Sequence, residues 1–134
     1  MNKHILIRKA VIDSLNTAIT DASVRWYDGR PATLNADELP AVAVYLTDAQ
    51  PTGSVLDADE WQAVLHVEVF LKASSPDSEL DSWVENNIYP AFADMPALSA
   101  LAETVVAEGY DYQRDDEMAT WGSADLRHTL TYYL

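Results

Sequence analysis

Hydrophobic positions recur along this chain with two periods, and the changes between them mark its elements. Near the start the period is 3.6 residues: Ile5, Ile7, Val11, Ile12, Leu15, Ala18 and Ile19 fall on one broad face, with Lys9, Asp13, Asn16 and Thr20 opposite. This predicts an amphipathic helix over residues 3–20 that packs on a core. Arg8 interrupts the apolar face, where its stem can lie along the core while its head reaches water. The period then drops to two. A short strand is expected from Val24 to Tyr27, stopped by the turn Asp28-Gly29-Arg30-Pro31, and a polar loop follows to Pro40. Ala41 to Thr47 is apolar on both faces, as for a strand inside a sheet. The clearest alternation runs from Glu60 to Lys72. Trp61, Ala63, Leu65, Val67, Val69 and Leu71 form one wholly apolar face that is expected to lie beneath the helices, against Ile12, Leu15, Trp83 and Ile88.

A second helix is signalled by Ser75-Pro76-Asp77-Ser78-Glu79: a capping serine, a proline at the first helical position and acids in the first turn. Leu80, Trp83, Val84, Ile88, Ala91 and Phe92 hold one of its faces. Pro90 ends or kinks it, and Pro96 opens a short helical turn through Leu101. Two more strands are expected, about Thr104 to Gln113 and about Ala124 to Leu134. The order α-β-β-β-α-β-β runs strands together instead of alternating them with helices. It predicts a single α+β domain over residues 1–134, a mostly antiparallel sheet with helices packed on one face.

Composition narrows the chemistry. A chain of 134 residues, 49% hydrophobic, is long enough for one well-buried core. It has no cysteine, which excludes disulfides and thiolate metal sites. No apolar run approaches the ~18 residues of a membrane span. No signal-peptide pattern follows Lys3, Arg8 and Lys9, so a cytoplasmic protein is expected. Eight Lys and Arg face 22 Asp and Glu, a net charge of -14. Such a surface repels phosphate backbones and argues against direct nucleic-acid binding.

Motifs for catalysis are missing. His4, His66 and His128 have no zinc-ligand spacing, and four glycines make no phosphate cradle. His66 shares its strand face with Gln62, Glu68 and Lys72, so it is expected in solvent. The acid groups Asp57/Asp59/Glu60 and Asp115/Asp116/Glu117 lie in loops, where a weak divalent-cation site is conceivable but no resident cofactor is expected. Instead Trp26, Tyr27, Tyr110, Tyr112, Trp121, Tyr132 and Tyr133 flank turns or strand ends near Arg25, Arg30, Arg114 and Arg127, a composition common at protein interfaces.

Several blocks then stand out together: residues 28–32 (DGRPA), 39–49 (LPAVAVYLTDA), 59–71 (DEWQAVLHVEVFL), 76–90 (PDSELDSWVENNIYP), and 109–116 (GYDYQRDD) followed by Trp121 and residues 123–126 (SADL). In order and spacing they resemble the minor tail protein U family, the tail terminators of lambda-like phages. The resemblance implies a hexameric ring that caps the tail tube, stops its polymerisation and presents the surface to which the head joins. It implies as partners further copies of the chain, the major tail tube protein and a head–tail joining protein. DNA would pass through the lumen without specific binding, and an acidic lining would ease that passage.

On this reading a closed ring needs head-to-tail contacts. Arg30 and Arg114 are the candidates to meet a neighbour's carboxylates, among them Asp28, Asp77, Asp81 and Asp116, unless each braces a loop in its own chain. Reversing the charge of Arg30 is then expected to leave the monomer folded and to block the ring. Subunits this acidic repel, so salt or divalent cations should promote assembly. The polar connection from Gln50 to Asp59 is longer than a hairpin needs. Its Thr52, Val55, Asp57 and Asp59, with Glu60, are the expected contacts with basic groups of the tube protein. The competing reading is an acidic DNA mimic that sequesters a basic protein. It needs acids in regular rows, whereas here they cluster in loops among arginines.

Overall fold

The computed structural model of the chain describes residues 2–53, 59–75 and 77–134. Helix α1 (Lys3–Ala18) leads into strand β1 (Arg25–Asp28), β2 (Ala41–Pro51) and β3 (Glu60–Lys72). Helix α2 (Asp77–Trp83) and a short α3 (Pro96–Ser99) precede β4 (Thr104–Arg114) and β5 (Trp121–Tyr133). The five strands form one sheet in the order β1-β2-β3-β5-β4. Only β1 and β2 are parallel; the other neighbours are antiparallel. The α+β class and the element order are those expected from the sequence.

The central pair β3 and β5 carries the fold. Its register runs unbroken from Glu60↔Tyr133 to Lys72↔Trp121. That pairing explains why β5 begins at Trp121, earlier than its own alternation suggests, because Lys72 at the far end of β3 still has a partner to offer. β2 and β3 likewise pair out to Pro51↔Trp61, past an irregularity between Thr47 and Gln50 where Asp48 takes a φ of 57°. The connection between them is therefore shorter at its start than the composition implies. Residues 54–58 of it, including Val55 and Asp57, lie outside the described residues, as does Pro76.

Leu65, Val67, Val69 and Leu71 are buried on the helix side of β3, as the alternation requires. They join Val42 and Val44 of β2, Leu126, Leu130 and Tyr132 of β5, and Ile7, Val11 and Leu15 of α1. Leu80, Val84 and Ile88 complete that core, while Trp61, Ile12 and Trp83 pack half-buried at its margin. The expectation for Ile5 fails. Residues two apart on a helix point about 200° apart, so Ile5 and Ile7 cannot share the core face; Ile7 is fully buried and Ile5 is 49% exposed. His4, one turn before Ile7, takes that place and meets the Tyr132 hydroxyl at 2.6 Å. Pro90 has no N–H to give to the carbonyl of Asn86. The chain accommodates this by widening to a π turn at Val84–Ile88 and tightening to a 3-10 turn at Tyr89–Ala93.

The other face of the sheet corrects a larger expectation. The segment from Gly29 to Pro40 folds back over it, burying Leu34 against Ala41, Ala43 and Phe70. Glu68 is 0% exposed and His66 is 9% exposed, although alternation along β3 assigns both to solvent. Their burial is stable because each polar atom finds a partner from a distant part of the chain.

Candidate functional site

The outer face of the sheet, away from the helices, gathers the polar chemistry of this protein. Glu68 accepts from Arg30 Nε at 3.1 Å, from the Tyr45 hydroxyl at 2.8 Å and from the Ser123 hydroxyl at 2.5 Å. The Arg30 guanidinium also sits 5.8 Å from the Phe70 ring and 5.7 Å from the Trp121 ring. Burial and the neighbouring Glu68 carboxylate push the Tyr45 phenol well above its ordinary range. Beside this knot His66 stacks on Tyr45 with ring centres 4.5 Å apart. Its Nδ1 lies 2.9 Å from Asp125 and its Nε2 2.7 Å from the Thr47 hydroxyl.

Thr47, His66 and Asp125 thus have the connectivity of a nucleophile, base and orienting acid. Thr47 and His66 line one side of a hollow of about 450 Å³ whose other walls include Asp48, Glu108 and Arg127. An acyl-transfer site would need donors aimed at a developing oxyanion. Carboxylates such as Asp48 and Glu108 would repel one instead. The bonds of His66 to Thr47 and Asp125 tie β3 to β2 and β5.

The residues expected at subunit contacts are mostly engaged within the chain. Arg30 holds Glu68, and Arg8 holds Asp28 at 2.5 Å. Arg114 pairs with Asp77. Asp81 accepts from the hydroxyls of Tyr110 and Tyr112, bonds that keep its carboxyl below the usual range. Asp116 is exposed in the β4–β5 turn. The bond to Glu68 corrects the expectation for reversal of Arg30, because a second acid there would confront a buried carboxylate and destabilise the monomer. At the β2–β3 hairpin the Thr52 N–H donates to the Glu60 carbonyl at 3.0 Å and its hydroxyl to the Glu60 carboxylate at 2.7 Å. Asp59 accepts from the Trp61 indole at 2.8 Å.

Among the described residues no three His, Cys, Asp or Glu side chains are placed to hold a metal ion. Asp115 is instead the brace of its turn, accepting from the backbone N–H of Thr120 at 2.9 Å and of Glu117 and Met118 at 3.2 Å. Those bonds, the one from Thr120 first, lower its pKa.

On the helix side His128 is 2% exposed and stacks on Phe92 at 4.1 Å, with no hydrogen-bond partner for Nδ1 among the described residues. Burial pushes its pKa from 6.5 down to about 4. The folded chain therefore binds fewer protons than the unfolded one between those values. The associated stability is complete above pH 6.5 and is lost as pH falls toward about 4. At ~1.4 kcal/mol per pH unit this loss is at most about 3 kcal/mol. Denaturant melts of wild type and His128→Gln between pH 7 and 4.5 are expected to converge as pH falls. Parallel lines would remove His128 as the cause.

Sequence reasoning missed the Glu68 and His66 clusters. The available signals were an acid inside the apolar run Val67-Glu68-Val69-Phe70 and another, Asp125, between Ala124 and Leu126.

A family model described as phage minor tail protein U matches residues 2–132. The chain belongs to the phage minor tail protein U family. Within curated relatives it is 60% identical over 131 residues to the tail tube terminator protein of Escherichia phage N15, covering 97% of this chain and 98% of that one. It is 55% identical over 130 residues to the tail tube terminator protein of Escherichia phage lambda, again covering 97% and 98%. A chain from the virion of a native gene transfer agent (GTA) particle overlaps 95% of this chain and 94% of that one at a TM-score of 0.49 and 15% identity. The blocks that carry the minor tail protein U resemblance fall on the sheet, on α2 and on the covering segment after β1. As a member of that family the chain is a structural protein of the phage tail.

Proposed function

We propose that this chain is a tail tube terminator. Six copies close into a ring on the end of the tail tube, stop its polymerisation and present the surface to which the head joins. The observation that carries this reading is the 60% and 55% identity to two proteins of that name, spanning 97% of the chain in each case. Its partners are further copies of itself, the major tail tube protein and a head–tail joining protein, met in the host cytoplasm before the ring becomes part of the virion tail. An acidic lumen lets DNA pass without binding. The subunit contacts involve the surfaces around Asp28, Arg30, Asp77, Asp81, Arg114 and Asp116. The β2–β3 hairpin end, with Thr52, Val55, Asp57, Asp59 and Glu60, meets basic groups of the tube protein.

No resident cofactor is required, but each subunit carries a net charge of -14. Mobile ions relieve the resulting repulsion within a Debye length of ~10 Å at 0.1 M salt, so a weakly held divalent cation is enough to favour the ring. Light scattering is therefore expected to find six times the 14.9 kDa chain mass at physiological salt with magnesium. Low salt with a chelator should leave mostly single chains. A protein that stays monomeric or stops at a dimer under all these conditions contradicts the ring.

A further inference from the structure

The sheet ends in two free edges, β1 on one side and β4 on the other. They differ in a way that selects a partner. β4 is 11 residues long and exposed throughout, except that Val105 and Tyr110 are half-buried. On either side of a register shift between Ala107 and Gly109, which leaves Glu108 as the extra residue of a bulge, the edge offers unpaired backbone N–H and C=O groups to another strand. Its charges are acids: Glu103 just before it, then Glu108 and Asp111, with no cation until Arg114. Asp111 is paired with Arg127, while Glu103 and Glu108 are in no ion pair among the described residues. Two β4 edges therefore repel each other.

β1 is the complement. Arg25 is exposed and in no ion pair among the described residues, feeling Glu38 only at longer range. Arg25 donates its N–H to Pro40, just before β2, at 3.1 Å, and Gly29 donates to Val44 within β2 at 2.8 Å. Parallel-ladder geometry then turns the backbone of Trp26 and Asp28 outward. The faces match as well. Arg25 stands opposite Ala41 on the outer face, and Glu108 lines the outer-face hollow with His66 and Arg127.

We propose that the β1 edge of a second copy of this chain docks on the β4 edge, extending the sheet from subunit to subunit, with Arg25 of one copy against Glu108 of the next. This rests on the ring reading and specifies its contact. The direction follows from symmetry. β1 runs parallel to β2, and three antiparallel steps through β3 and β5 leave β4 opposed to both. Rotation about an axis along the strands preserves direction, so β4 and the incoming β1 meet antiparallel. Using opposite edges makes the contact heterologous, as a closed ring needs. The acids on β4 disfavour the competing isologous pairing.

Arg25→Glu and Glu108→Arg are each expected to lose the ring by light scattering while keeping their circular dichroism. An equimolar mixture of the two should restore it, because alternating subunits place unlike charges at every contact in a ring of even number. Deuterium exchange in the wild type should slow in peptides spanning residues 24–29 and 103–110 when the ring forms. Should either variant fail to fold, that exchange measurement decides alone. Rings that form unchanged from both reversals, or β4 amides that exchange alike in ring and monomer, overturn the pairing and leave the acids as protection of an idle edge. A wild-type chain that makes no ring overturns the terminator assembly as well.

Discussion

Val67→Asp is expected to abolish folding. Val67 is fully buried, in the middle of β3, between Val44 of β2 and Leu126 of β5 on the helix side. An aspartate there faces the apolar side chains of the core. The choice is between burying an unpaired charge and burying a protonated acid, and each costs several kcal/mol. Set against a total stability of ~5–15 kcal/mol for a domain of this size, the substitution leaves little or nothing. Circular dichroism on heating should show no cooperative transition. A soluble, cooperatively melting variant would mean that the faces of β3 are reversed.

Glu68→Ala should destabilise by about 3–5 kcal/mol, the range for removing one member of a buried pair. Glu68 has no exposed surface and three donors, from Arg30, Tyr45 and Ser123. Its loss leaves Tyr45 and Ser123 without their acceptor. Arg30 keeps 39% of its side chain in solvent and can turn outward, which places the effect toward the lower end. The segment from Gly29 to Pro40 loses its anchor with it, so exchange there should quicken. Glu68→Gln retains an acceptor for Arg30 and Ser123 and should cost less. Equal losses from both variants would show that shape, not hydrogen bonding, holds the segment down.

The helix side of the sheet was legible from the chain because its signal is periodic and local. Six apolar positions two residues apart on β3 can be satisfied in only one way, and Leu65, Val67, Val69 and Leu71 are buried accordingly. Helix α1 was legible through Ile7, Val11 and Leu15, whose spacing is helical, but not through Ile5, whose hydrophobicity misleads about its direction. The outer face was opaque for a physical reason. Glu68 is buried by Arg30, Tyr45 and Ser123, and His66 by Thr47 and Asp125. Those partners arrive from separate strands and a folded-back segment, so no period along β3 announces them. For Arg30 and Arg114 a brace within the chain was one of the two readings, but that Glu68 is the partner of Arg30 was hidden in the same way. Membership of a phage tail family was legible only in the blocks that carry the resemblance, since no local motif elsewhere in the chain points to it.

The terminator reading is tested most directly by tail length. The measurement is tail length in a lambda-like phage deleted for its own terminator, with and without this chain supplied in trans. The account predicts tails of one uniform length by electron microscopy. A distribution as broad as that without the protein, at equal expression of folded chain, would contradict it.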